Sequence, residues 1–339
     1  MDSLTHIVLG AAIGDKVLGK KIGRKAAWIG ALAKTFPDFD LLYSGLNDPR
    51  KYVLYHRSYT HSFFVELLTA FPMAFLFYIL FKKKIAYKEW FLLWIICLWG
   101  HSLVDIFTNY GTRIFLPFSK QLVSLNNIAI ADLFLTIPIL IMVIVGLFYK
   151  NNSLGRNRWM NATLIYSIAY FGMTFVNKGI VDKHFKQSIA TNHYESKAYM
   201  SNPTILNNFL WYSLINTDST LLVGEYSILQ HSNEIKWRSY PINQQLLLSH
   251  PSPDAKMLEW FSQGFYFSQQ NKDTLEVFIP KFGRGDLDKS ASKETFLFYY
   301  QIYLSNGQWQ FKAHQPDSQE MNYSEALKQL IRHILALEK

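Results

Sequence analysis

Two imidazoles and three aliphatic hydroxyls fall within seven residues in "HRSYTHS", His56 to Ser62. Imidazole nitrogen and carboxylate oxygen are the donors that borderline divalent metals take. In "GHSLVD", His101 and Asp105 stand four apart, on one face of a helix, where they either meet one ion or simply hydrogen-bond to each other. His56 and His61 are five apart, about 140° around a helix. They converge only with His56 in a loop and His61 in a first helical turn, capped by Ser58 or Thr60. "FPDFD" sets Asp38 and Asp40 after a helix-stopping proline, and alternation sends both to one side of an extended segment, as ligands or as a solvated turn. His6, in "THIVLG", is by itself an ordinary packed histidine, and Arg57 reads as a contact for phosphate or carboxylate.

A series of apolar runs must position these groups. Phe63–Phe81, Glu89–Phe107, Ile128–Tyr149 and Trp159–Val176 each approach the roughly 20 residues that a helix needs to cross hydrocarbon. Trp90, Trp94, Trp99 and Trp159 suit interfacial anchors. Ahead of them, Leu4–Leu18 and Lys25–Phe36 are short and rich in glycine and alanine, which predicts a close-packed membrane-inserted hairpin. The cations collect in the turns "DKVLGKKIGRK", "KKKIAYK" and "KNNSLGRNR". If every segment spans, these turns share one side, cytoplasmic by the positive-inside rule. His6, Asp38, Asp40, His56, His61, His101, Asp105 and Asp132 then reach the other, extracytoplasmic end, together with everything after Val176.

Lys and Arg exceed Asp and Glu by nine, a balance that suits an anionic membrane surface. No zinc-ribbon spacing, basic helix or aromatic RNA-binding signature supports a nucleic-acid partner. The single cysteine, Cys97, excludes an internal disulfide and a thiolate site, leaving histidine and carboxylate for any metal. Zinc comes first, manganese or iron behind it. Four histidines and three or four aspartates exceed one tetrahedral zinc, so two metals with open positions fit better, with Asp132 either orienting a ligand histidine or handling a proton. "MDSLTHIVLGAAIGDK" has no basic start and no cleavable signal pattern.

From about Asp182 the pattern turns soluble. "FLWYSLI", "STLLVGEYSILQ", "TLEVFIPKF", "TFLFYYQIYL" and "WQFKAH" read as strands, and Ser324–Leu337 as a terminal helix. No repeats or low-complexity tracts interrupt the chain. The expected architecture is an α-helical polytopic membrane bundle bearing a His/Asp metal site over 1–180, followed by a small soluble α+β domain over 181–339.

The ordered motifs "MDSLTHIVLG", "FPDFD", "HRSYTHS" and "HSLVDIFTNYGT" resemble those of the YdjM-like inner-membrane family of metal-dependent hydrolases, over roughly the first 135 residues. The resemblance implies that His6, Asp38, His56, His61, His101 and Asp105 occupy metal-site positions. Many members carry glycine where this chain has Ser58, and "NYGT" would form a site-edge loop in which Gly111 permits close backbone approach. The order of motifs also resembles zinc-dependent phospholipase C and related nucleases, which points towards phosphoesters.

The function this predicts is hydrolysis, by metal-activated water, of a phosphoester or related ester in a lipid or lipid-linked substrate at the bilayer. Asp40 or Asp132 would move the proton, and Arg57 and Arg113 would hold the anionic group. One alternative is a non-enzymatic membrane protein with a structural metal site and a partner-binding C-terminal domain. Another is a metal or proton transporter, for which "LFLTIPILIMVIVGLFY" after Asp132 offers few polar residues.

Overall fold

The side chain of Asp2 starts the first helix by accepting hydrogen bonds from Thr5 N at 2.9 Å and Thr5 Oγ1 at 2.6 Å. Helix α1 (Ser3–Ile22) ends at Gly23, whose φ of +61° turns the chain directly into α2 (Arg24–Thr35). The two helices lie backbone against backbone. A Cβ added at Gly30 would fall 2.1 Å from the Gly10 carbonyl oxygen and 2.6 Å from the Gly14 Cα. Small residues on both faces are what allow this approach.

The computed structural model describes residues 1–44, 48–232, 234–283, 296, 298–314 and 323–337. It divides into two units: Met1–Leu46 with Tyr55–Phe175, and Asn47–Leu54 with Val176–Lys339.

In the first unit α2 gives way to a 3-10 turn at Phe36–Phe39, with Pro37 in its first turn, and then to the short α3 (Asp40–Ser44). A second 3-10 turn, Tyr59–His61, leads into α5 (Phe63–Leu80), capped by Ser62. Helix α6 (Tyr87–Asp105) is the inner helix. Its buried face carries Trp90 and Trp94 against Phe77 of α5 at one end, and His101, Ser102 and Asp105 at the other. Asp132 caps α7 (Leu133–Phe148), and the first part of α8 (Leu154–Thr191) completes the unit.

Among the described residues only α5 and α8 are long and apolar enough to cross a membrane. The expectation of four spans is thus met by a helical region with two. Helix α7 is apolar but 16 residues long. Helix α6 carries Lys88, Glu89, His101 and Asp105, which lower its mean hydropathy. The run Trp159–Val176 lies within α8, which continues to Thr191.

At the basic end of this unit the turns meet one another. Lys16 Nζ donates to Asn157 Oδ1 at 2.6 Å, Lys21 Nζ to Glu89 Oε2 at 2.5 Å, and buried Arg156 pairs with buried Asp15.

The second unit holds two four-stranded antiparallel meanders. One runs β1 (Ala198–Pro203), β2 (Leu210–Asn216), β3 (Thr220–Ser227) and β4 (Trp237–Pro241). The other runs β5 (Phe267–Asn271), β6 (Thr274–Phe278), β7 (Tyr299–Ser305) and β8 (Gln308–His314). Helices α9 (Gln244–Leu248) and α10 (Pro253–Ser262) connect the sheets, and α11 (Tyr323–Ile334) follows them. The five runs read as strands correspond to β2, β3, β6, β7 and β8, although Thr295 and Leu297 of "TFLFYYQIYL" lie outside the described residues. Strands β1, β4 and β5 carry no such signal: "AYMSNP", "WRSYP" and "FSQQN" are polar or end in proline. The short α4 (Pro49–Tyr55) places Arg50 in this unit, where its guanidinium grips Asp254 at 2.8 and 3.0 Å.

Candidate metal centre

Three segments of the first unit meet at one place. The turn after α2 brings Asp38, the turn before α5 brings His61, and the last turn of α6 brings His101 and Asp105. One donor atom from each lies within 4.8 Å of the other three. His61 Nε2 and His101 Nε2 face each other at 3.1 Å. Asp38 Oδ1 is 3.5 Å from the first and 3.4 Å from the second, and Asp105 Oδ2 is 3.4 Å from both. Donors about 2.0–2.1 Å from a tetrahedral ion stand roughly 3.3–3.4 Å apart. Five of the six donor–donor distances therefore fall near the spacing of donors on one ion.

Their protonation also suits a cation. His101 Nδ1 lies 2.6 Å from the carbonyl of Lys34, an acceptor only, so Nδ1 carries the proton and Nε2 presents its lone pair. His61 Nδ1 is 2.9 Å from Thr60 Oγ1, which itself donates to Asp40 Oδ2 at 2.9 Å. This chain places the His61 proton on Nδ1 and turns Nε2 inward. Without an ion, burial disfavours charge on His61, but hydrogen bonds to Asp105, Asp38 and Asp40 raise its pKa well above the ordinary value. Burial would likewise raise Asp38, yet hydrogen bonds from His101 and His61 hold its carboxyl well below the usual range.

Asp105 divides its two oxygens. Oδ1 receives His6 Nε2 at 3.1 Å and the amino group of Met1. Oδ2 faces the two histidines, with Arg57 Nε at 3.1 Å. That approach is an ion pair off the hydrogen-bonding line, so both atoms are buried without a directed hydrogen bond among the described residues. Arg57 also donates from Nη1 to Thr108 Oγ1 at 2.7 Å and lies over the Tyr110 ring. Its contacts neutralise and fix Asp105, where the sequence suggested a substrate contact.

The remaining expected residues surround the group without joining it. His6 stacks on His101 at 3.8 Å, and its buried Nδ1 has no hydrogen-bond partner among the described residues. His56 donates from Nδ1 to Asp40 Oδ1, 3.0 Å away, and stands edge-on to His61. Burial pushes the His56 pKa down despite Asp40. Asp40 itself would rise on burial, but His56 and His61 hold its carboxyl below the usual range. Asp132 is engaged elsewhere: it caps α7 through Phe134 N and Leu135 N and takes the Tyr170 hydroxyl at 2.8 Å. As a cap it is not the free carboxylate that proton handling needs. Among the described residues only this one group gathers three or more donors close enough to share an ion, four of those expected for two metals.

The loop details differ instructively. The left-handed residue in "HRSYTHS" is Arg57, with φ +53°, while Ser58 has φ −103° and pays no such strain. Gly111 has φ +91°, and a Cβ there would stand 3.1 Å from Leu122 Cβ.

Three buried residues were not singled out from the sequence. Glu66 of α5 accepts from Ser102 Oγ of α6 at 2.6 Å, and Lys34 lies buried against Gly100, one residue before His101. The signal was present: Glu66 is the one charge in "FFVELLTAFPMAFLFYILF", and Lys34 interrupts an Ala/Gly helix.

Comparison with known proteins bears on the same region. A family model described as YdjM inner membrane protein matches residues 1–181, more than half of the chain. The chain is also similar to the uncharacterized protein YfhP of Bacillus subtilis (strain 168), 27% identical over 232 residues, covering 66% of this chain and 68% of that one. No solved structure matches.

Proposed function

The chain belongs to the YdjM inner-membrane protein family, and on that footing we propose that it is a membrane-bound metal-dependent hydrolase. Its substrate is a phosphoester, or related ester, of a membrane-associated molecule. The observation that carries this reading is the four-donor group of Asp38, His61, His101 and Asp105. Its nitrogen and oxygen set suits zinc first, with manganese or iron behind. Asp38, His61, His101 and Asp105 would hold a divalent ion, which, on taking a further ligand beyond these four, would lower the pKa of water and draw charge from a phosphoryl or acyl oxygen.

The chain's own residues prepare that chemistry. Lys34 O and the Thr60–Asp40 pair fix the two histidines with Nε2 inward. Arg57 offsets the charge of Asp105. Asp40, whose Oδ1 accepts from His56 Nδ1, is the carboxylate placed to accept a proton beside the site. The grouping of the basic turns supports a cytoplasmic location for them and an extracytoplasmic one for the metal centre.

The test is metal analysis of the purified protein, then hydrolysis assays on bis-p-nitrophenyl phosphate and on phospholipid vesicles. His101→Ala should stay folded, lose metal and lose hydrolysis. A folded, metal-free His101→Ala protein with full biological activity would leave the metal structural and the reading wrong.

A further inference from the structure

Five large side chains stand in the open around the metal centre. Phe39, Leu42, Tyr43, Tyr55 and Tyr59 are each between 40 and 77% exposed. They share short segments with the buried polar groups: Phe39 lies between Asp38 and Asp40, Tyr55 precedes His56, and Tyr59 stands two residues before His61. Each segment turns its imidazole or carboxylate inward and its ring outward. Tyr43 and Tyr55 brace each other edge to face at 5.4 Å.

Exposed apolar groups in this density mark a surface that something else covers. Two observations say what. Three of the five are tyrosines, whose ring prefers hydrocarbon and whose hydroxyl prefers water, as in a membrane interface. Helix α5, long and apolar enough to span, begins at Phe63, four residues after Tyr59, and exposes Phe64, Leu68, Phe71 and Phe75. The turn Tyr59–His61 and Ser62 lead directly into that helix, so Tyr59 is four residues in sequence from the start of an exposed apolar face.

We propose that these five residues rest in the headgroup layer of the bilayer, and that the molecule reaching the metal centre is an amphiphile drawn from that leaflet. Its anionic head meets the cluster and its chain lies along Leu42 and the rings. The bilayer contact stands by itself; the amphiphilic substrate rests on the hydrolase reading.

The experiment has two arms. In a Cys97→Ala background, Leu42→Cys and, as a control in an exposed turn, Lys272→Cys are labelled with the fluorophore NBD and reconstituted in phosphatidylcholine–phosphatidylglycerol vesicles. The label at position 42 should emit to the blue and be quenched by headgroup spin-labelled lipid but not by aqueous iodide, with the reverse at 272. Water-like emission and iodide quenching at 42 overturn the bilayer contact. In the second arm, the double variant Leu42→Asp/Tyr43→Asp should lose about tenfold in rate on vesicle phospholipid and stay within about twofold on soluble bis-p-nitrophenyl phosphate. Equal loss on both substrates, or no loss on either, overturns the amphiphile. If the wild type cleaves neither ester, the hydrolase reading and the amphiphile fall together, and the label alone decides the bilayer contact.

Discussion

Asp40 and Thr60 touch no donor position of their own, yet they hold His61 in the orientation on which the centre depends. Asp40 Oδ2 accepts from Arg57 N at 3.0 Å and from Thr60 Oγ1 at 2.9 Å, while Thr60 Oγ1 meets His61 Nδ1 at 2.9 Å. Thr60→Val keeps the shape and deletes the hydroxyl, breaking one link to a charged group, worth about 1.5 kcal/mol or roughly tenfold in zinc affinity. Asp40→Asn replaces an oxygen that accepts two bonds with a donor and removes the charge that stabilises His61 Nδ1–H. The loss should reach about a hundredfold, the upper end for groups that orient a ligand histidine. Because both residues act through one chain, the double variant should bind about as weakly as Asp40→Asn alone, not a thousandfold worse. The assay is competitive zinc titration of detergent-purified protein against a chromophoric chelator, with far-ultraviolet circular dichroism to monitor helix content. Affinities within twofold of wild type in both single variants, or losses that simply multiply in the double variant with helicity intact, would refute the proposed relay.

Zinc must displace the Nε2 proton that Asp105 and Asp38 hold on His61, so between pH about 6.5 and the raised folded value affinity should fall about tenfold per unit of acidification. Calorimetry in two buffers of different ionisation enthalpy should count about one proton released, and a count of zero contradicts the assignment. In the metal-free protein the same proton stabilises the fold fully below pH about 6.5, and that contribution disappears as pH rises through the raised value. Gly30→Ala should push α1 from α2 and cost about 1–3 kcal/mol in thermal stability, because its Cβ would fall 2.1 Å from Gly10 O. Gly172→Ala, with nothing within 4 Å, should be neutral or stabilising by up to about 1 kcal/mol in the same melting experiment. Burial lowers Lys281 to about 7, so the unfolded chain binds an extra proton from there to about pH 10. Resistance of the sheet-bearing unit to denaturant should therefore rise with pH across that window, by up to about 1.4 kcal/mol per unit, and Lys281→Met should flatten the slope.

The sequence by itself determined which groups could do chemistry and roughly where they would meet. Spacing alone sets His101 and Asp105 on one helical face, and the motif order led to the family. Long apolar runs and alternating aromatic runs are local signals, so α5, α8 and five of the eight strands were legible. Only the tertiary structure decided the division of labour among the donors. Whether an aspartate is ligand, orienting partner or helix cap depends on what lies across from it: Asp38 meets His61 and His101, Asp40 meets Thr60 and His56, and Asp132 meets Tyr170. Those neighbours come from positions up to scores of residues away. No local pattern encodes the approach of α2 to α6 that lets the Lys34 carbonyl set the tautomer of His101. Nor does one show that α6, whose buried face ends in His101, Ser102 and Asp105, is the inner helix, because hydropathy averages over both faces while packing separates them.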